Sequence, residues 1–210
     1  MDSVAMGVDP AVVSAGITFG RMLQSQPSAQ VVRAFAQQAE GVTLALDEAS
    51  FQTEAARKVF LEAGCELRDW ARDADFNLVE KDYIRLFVGL ERTLAAPWES
   101  VYMSEGRLVF QPGMLEVRHW YRSRGFKARA SGKEPDDHVG LELEFVCALL
   151  ERGNKEDVEC AVEFSREHLM RWVGAWQDDV LEYAEVGFYR ALAKYAFGIS
   201  EEISKLEVHE

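Results

Sequence analysis

Apolar residues recur at helical spacing along almost the whole chain, and that single pattern restricts the fold more than any other feature. Val32, Phe35, Ala36 and Ala39 form one stripe. Ala56, Val59, Phe60, Ala63, Leu67 and Trp70 form a second, and Phe76, Val79, Tyr83, Leu86 and Phe87 a third. The same period returns in Val139, Leu143, Val146, Cys147 and Leu150, in Val158, Ala161, Val162, Leu169 and Trp172, and in Phe188, Leu192, Tyr195, Ile199, Ile203 and Leu206. Side chains three and four apart share one face of a helix, whereas strands need alternation by two, which is almost absent. The pattern predicts an all-α bundle of roughly eight to ten helices.

Punctuation agrees. All five prolines, Pro10, Pro27, Pro97, Pro112 and Pro135, can stand outside helix interiors, where a proline costs about 3 kcal/mol or more. Pro27 followed by Ser28 reads as a turn and a helix cap. The longest non-helical stretches, about 89–112 and 125–136, bracket one helix near 113–124. Long loops in a compact domain are usually functional or hinges. Residues 1–125 are therefore expected as an N-terminal helical part, 126–136 as a hinge loop and 137–210 as a C-terminal helical part, either one globular unit or two closely packed subdomains. A hinge between two helical parts admits domain swapping, so a monomer with a swapped dimer beside it fits the pattern. The terminal EEISKLEVHE is expected to fray into solvent.

The 210 residues carry 36 acids against 23 bases, a formal charge of −13. Long-range repulsion from polyanions argues against nucleic acid or an anionic lipid surface as partner, and favours a cationic one. Residues 117–133 hold six bases and no acid, whereas residues 134–210 hold 19 acids and 7 bases. A chain of this size buries roughly 70% of its unfolded surface, enough for a core without disulfides. Cys65, Cys147 and Cys160 are odd in number and have no C-x-x-C spacing, so they read as buried or idle thiols in a reducing cytosol. Asp2 and Asp9 stand where an export signal would carry Lys or Arg, and no apolar run approaches the ~18 residues of a membrane span. The expected location is the cytoplasm.

Catalytic patterns find little support. Glu116-x-x-His119 has the spacing of a di-iron ligand pair, but no second such pair exists, so no metal is expected. No dinucleotide, P-loop or nucleophile-elbow motif occurs. Asp136, Asp137 and His138 could orient an imidazole, yet no nucleophile is identifiable beside them. His168 reads as a half-buried spacer among aromatics. The chain is not expected to be an enzyme.

Two segments carry more information. Tyr83 to Tyr102 reads YIRLFVGLERTLAAPWESVY, an aromatic-x-x-Leu-Phe-x-Gly element followed by a loop ending in Pro-x-Glu-Ser. Glu134 to Phe145 reads EPDDHVGLELEF. In this order, within an acidic helical chain, they resemble the TorD/DmsD family of redox-enzyme maturation chaperones, relatives of the NarJ type included. The resemblance implies an all-α cytoplasmic chaperone that binds the twin-arginine leader of a molybdopterin oxidoreductase, guards its apo form and delays export until the cofactor is inserted. It implies leader-binding roles for Tyr83, Leu86, Phe87, Pro97, Trp98, Glu99, Asp137 and His138, and a hinge motif of Glu134, Pro135, Asp136, Asp137 and His138. Tyr83 stands where relatives often carry tryptophan.

The chemistry suits such a ligand, since a twin-arginine leader offers two guanidinium groups and an apolar stretch. Carboxylates such as Glu99 and Asp137 beside aromatic anchors such as Tyr83 and Trp98 would meet both, and micromolar binding corresponds to about −8 kcal/mol. Other readings stand beside these. Leu86 and Phe87 sit at core spacing, Asp136 reads equally as a helix cap, and one of Glu142 and Glu144 is expected to line a groove while the other is solvated. His138 beside Asp137 is expected to bond across the two halves and to titrate near neutrality. Two functional alternatives remain: a NarJ-like assembly factor acting on the enzyme body without leader binding, and a weak GTP-binding protein with phosphate held near Arg122, Arg124 and Lys127.

Overall fold

Helix starts are set by short polar side chains that accept the first free backbone N–H groups, and the chain supplies one at most of its turns. Asp9, Ser28, Thr53, Asp75 and Asn154 each cap the helix that follows with a side-chain oxygen. The computed structural model describes residues 7–89, 93–104, 112–127 and 135–208. These fold into α1 (Pro10–Leu23), α2 (Ala29–Asp47), α3 (Glu54–Arg72), α4 (Phe76–Tyr83), α5 (Glu99–Met103), α6 (Pro112–Ser123), α7 (Val139–Arg152), α8 (Lys155–Phe164), α9 (Met170–Tyr183) and α10 (Gly187–Ser204). A π-helical turn, Ile84–Val88, prolongs α4, and a second, Ser165–Leu169, joins α8 to α9. Among the described residues there is no strand, and no helix is long and apolar enough to cross a membrane. The fold is all-α, as the helical period requires.

One hydrophobic core runs from Val8 to Leu206 and draws on residues from both sides of the expected hinge. Its main packings are α3 on α10, α1 on α7, α9 on α10 and α2 on α3. Phe19, Phe60 and Tyr195 join α1, α3 and α10, with Phe19 and Tyr195 stacked at 4.7 Å.

The α1–α7 contact is unusually close because it is built on glycines. A Cβ placed on Gly20 would lie 2.7 Å from the Gly140 carbonyl oxygen, and one on Gly140 would lie 2.3 Å from that of Gly20. One turn away, a Cβ on Gly16 would meet the Cys147 sulfur. Helix backbones approach this near only where side chains are missing.

The C-terminus departs from expectation. Instead of fraying, α10 continues to Ser204, with Glu202, Ile203 and Leu206 buried. Ile203 and Leu206 extend the apolar stripe, Glu202 accepts the Gln52 N–H at 2.7 Å, and Arg166 donates to the Ser204 carbonyl at 2.7 Å. Those bonds satisfy groups that a free helix end would leave to water.

Candidate functional site

The two segments that carry the family resemblance meet. Trp98 and His138 form an isolated antiparallel bridge. Beside it, the Glu99 N–H donates to the Asp137 carbonyl and the Val139 N–H to the Pro97 carbonyl, each at 2.9 Å. The Ser100 N–H donates to Asp137 Oδ2 at 2.9 Å. A strap, residues 93–98 leading into α5, is thereby clamped to the start of α7.

His138 is the cap of α7: its Nδ1 accepts the Gly140 N–H at 3.0 Å, which leaves the neutral imidazole proton on Nε2. The ring is buried and edge-on to Trp98 at 6.3 Å. Burial pushes its pKa down to about 3, so it does not titrate near neutrality as the sequence suggested. Nor does it bond across the two segments itself: the hydrogen bonds that flank its bridge to Trp98 are made by its neighbours Asp137 and Val139. The cap role expected for Asp136 thus belongs to His138. Asp136 instead pairs with the Arg118 guanidinium, and its carbonyl accepts the Tyr121 hydroxyl at 2.9 Å. Pro135 is half-buried, and Glu134 lies outside the described residues.

Behind the bridge lies a buried polar seam. Glu99 is 4% exposed and its Oε2 is 3.0 Å from His168 Nδ1. His168 sits in the second π-helical turn, stacked on Phe164 at 4.6 Å. Glu142 is fully buried and accepts the Trp172 indole N–H at 3.2 Å. Burial first, then the negative charges of Glu99 and Asp137, hold its carboxyl well above the usual carboxylate range. Tyr121 is raised for the same reasons, burial and then Glu142. Asp137 Oδ1, Glu142 Oε1 and Ser100 Oγ are buried without a hydrogen-bond partner. Contrary to expectation, Glu142 and Glu144 are both buried. Glu144 faces α1, where Arg21 at 2.8 Å and Gln24 at 2.9 Å hold it.

Tyr83, Leu86 and Phe87 form the other wall. They are core residues: Phe87 packs against Tyr83, Trp176 and Tyr189, and Leu86 is fully buried. The strap covers them, since the Ala95 N–H donates to the Leu86 carbonyl at 2.9 Å and the Trp176 indole N–H to the Ala95 carbonyl at 3.3 Å. Pro97 is buried in the strap and Trp98 is half-exposed at its edge. The strap is tied to both π-helical turns, one through Leu86 and one through Glu99 and His168. π-helical turns are rare and concentrate at functional sites.

Sequence reasoning overlooked Ser100 and the pairing of Arg118, took His168 for a spacer, and left Glu142 undecided between a groove and solvent. For His168 there was a signal. It lies four residues after Phe164 and four before Trp172 on a buried stripe, and a polar residue on such a face needs a partner. Of the basic island, Arg118 is taken by Asp136, and Arg124 lies 3.6 Å from Asp157. Among the described residues no group of His, Cys, Asp and Glu is arranged to hold a metal ion. Cys65 is exposed, while Cys147 and Cys160 are buried and burial raises both thiols.

Known proteins resemble this chain to different depths. The family model described as nitrate reductase delta subunit matches residues 53–178, which include the strap and the start of α7. The chaperone protein TorD of Vibrio cholerae is 27% identical over 164 residues, 74% of this chain and 72% of that protein. The Tat proofreading chaperone DmsD of Salmonella typhi is 30% identical over 112 residues, 53% of each chain. A crystal structure of a candidate redox enzyme maturation protein from Archaeoglobus fulgidus superposes with a TM-score of 0.52 at 19% identity, over 92% of this chain and 94% of that one. At that identity the likeness speaks for the fold.

Proposed function

We propose a function from this premise: the chain belongs to the nitrate reductase delta subunit family, among the TorD and DmsD redox-enzyme maturation chaperones. It is a cytoplasmic chaperone that binds the twin-arginine leader of a molybdopterin oxidoreductase subunit, holds the apo form and delays export until the cofactor is inserted. The observation that carries this reading is the clamp between Pro97–Glu99 and Asp137–Val139, which brings both resemblance segments to one place although ~40 residues separate them. Trp98 is the anchor that the leader's apolar stretch meets, and Ile84, Val88 and Met103 add exposed apolar surface on the neighbouring elements. Tyr83, Leu86, Phe87, Pro97, Glu99, Asp137 and His138 serve leader binding from beneath, by fixing the strap that presents Trp98. A leader reaching Leu86 or Phe87 directly would first have to lift Ala95 away.

Calorimetric titration of the full chain with a synthetic leader peptide, against its Lys-Lys version and at two salt concentrations, tests this. The expected result is micromolar binding that favours arginine, weakens with salt and falls at least tenfold in Trp98→Ala, the range of a central aromatic anchor. Trp98 suits the test because truncating buried Asp137 or His138 would disturb the fold itself. The match to a nitrate reductase delta subunit model favours one alternative, an assembly factor acting on the enzyme body. Absence of binding to any leader, while the apo enzyme still captures the chain, would establish that alternative instead.

A further inference from the structure

A second groove, of about 370 Å³, opens away from the strap, between the last turn of α3, the first turn of α4 and the residues that begin α10. Its floor is apolar, made by Trp70, Leu78 and Val186. Five carboxylates line it: Glu66, Asp69, Asp73, Asp75 and Glu185, of which Asp69 pairs with Arg72 at 2.9 Å and Asp75 caps α4. One cation lines it, Arg190, but its guanidinium is held by Glu66 at 3.3 Å and by the Leu181 carbonyl at 2.9 Å, so its charge is consumed within the protein. Asp73 forms no ion pair with any described residue, and Glu185 has only a 3.5 Å approach from Arg85. Two buried polar atoms in the lining have no partner: the donor Trp70 Nε1 and the acceptor Glu66 Oε2.

An aromatic floor with Asp73 unpaired and Glu185 only loosely paired beside it complements a guanidinium group, which stacks flat on an indole and forks its N–H donors onto carboxylates. The carboxylates of the strap site cannot serve in this way. Glu99 is committed to His168 and Asp137 to the Ser100 N–H, and both are buried. We propose that this groove is where the paired arginines of the client's leader dock, over Trp70 and between Asp73 and Glu185. The assignment rests on the leader-binding reading above.

The groove is rigidly joined to the strap site. Buried Asp82 accepts the Glu185 N–H at 2.9 Å, the Val186 N–H at 3.0 Å and Arg85 at 2.8 Å, which fixes the rim to the helix carrying Tyr83, Leu86 and Phe87. From Asp75 to Val88 that helix rises ~20 Å at about 1.5 Å per residue. Exposed Ile84 and Val88 lie on the way. Arginines in the groove would therefore direct the apolar stretch that follows them toward Trp98.

The test is fluorescence anisotropy of labelled synthetic peptides, each with an Arg-Arg, Lys-Lys or Gln-Gln pair before the same apolar stretch. Asp73→Asn with Glu185→Gln removes two exposed charges from the rim. Glu40→Gln with Glu48→Gln removes two exposed charges from α2 and its C-terminal cap and controls for net charge. The groove variant should lose at least tenfold in affinity for the Arg-Arg peptide and bind it no better than the Gln-Gln peptide, while the control stays within twofold of the unmodified chain. Trp98→Ala should weaken all three peptides alike. If the unmodified chain prefers Arg-Arg and the groove variant keeps that preference, the arginines dock elsewhere and the groove assignment falls while leader binding stands. If the unmodified chain binds none of the peptides, both readings fall.

Discussion

Two contacts of α7 are built on different chemistry. Where α7 crosses α1, Gly16, Gly20 and Gly140 let the backbones touch, and the one carboxylate there, Glu144, is fully paired with Arg21 and Gln24. Where the same helix meets the strap and α9, the chain buries Glu99, Asp137, Glu142 and His168, and leaves one oxygen each of Asp137 and Glu142 unpartnered. Burying charge is costly, and an apolar packing of similar volume is often as stable or more so. The crossing therefore accounts for stability, whereas the seam is the kind of local inconsistency that proteins retain at functional sites. The crossing should be intolerant of added volume and the seam intolerant of lost partners.

The largest effect is expected from His168→Ala, which leaves Glu99 buried and unpaired. Removing one partner of a buried pair costs about 3–5 kcal/mol, readable by denaturant unfolding, and replacing Glu99 by Gln in the same chain should recover part of that loss. Gly140→Ala comes next. Its Cβ would meet the Gly20 carbonyl at 2.3 Å, a backbone atom that cannot rotate away, and overpacking of this kind costs about 1–3 kcal/mol. A Gly140→Ala protein as stable as the parent would show that the crossing can slide, and would remove the contrast between the two regions.

A pH series sharpens the comparison. His138 has a folded pKa of about 3, below its unfolded value near 6.5, so the folded state binds fewer protons between those limits. Stability from this group is fully present above pH ~6.5 and is lost as the pH falls toward 3, by about 1.4 kcal/mol per unit. His138→Asn keeps a capping oxygen but cannot titrate, so its stability should fall less steeply over that window. The smallest effect is expected from Glu142→Gln. Because burial and two neighbouring carboxylates favour the protonated form of Glu142, a neutral isostere should shift stability at neutral pH by less than about 1 kcal/mol. A large loss would mean that Glu142 carries its charge in the folded protein.

Much of the bundle was readable because helical period and capping are local properties. The stripes through α2, α3 and α4 lie on the buried faces expected of them, and Ser28 caps where Pro27–Ser28 suggested. Helix α1 was harder to see, since a helix that packs through Gly16 and Gly20 shows its contact face as missing side chains. The strap site was legible only in outline. Trp98, Glu99, Asp137 and His138 could be singled out by resemblance, but not the antiparallel bridge between them, nor His168 as the partner of Glu99 from 69 residues away. The C-terminal charges concealed a buried end for the same reason, because Glu202 and Arg166 are settled by partners distant in the chain.

By itself, then, the sequence determined an acidic all-α chain, most of its helices, and the two segments that mark its family. Tertiary structure alone decided which carboxylates are buried, that His138 is a neutral cap rather than a switch, that the strap covers Leu86 and Phe87, and that the open acidic groove lies elsewhere. Periodicity is written in neighbours three and four residues apart, whereas the charge, exposure and partner of a polar side chain depend on what the fold brings against it from far along the chain.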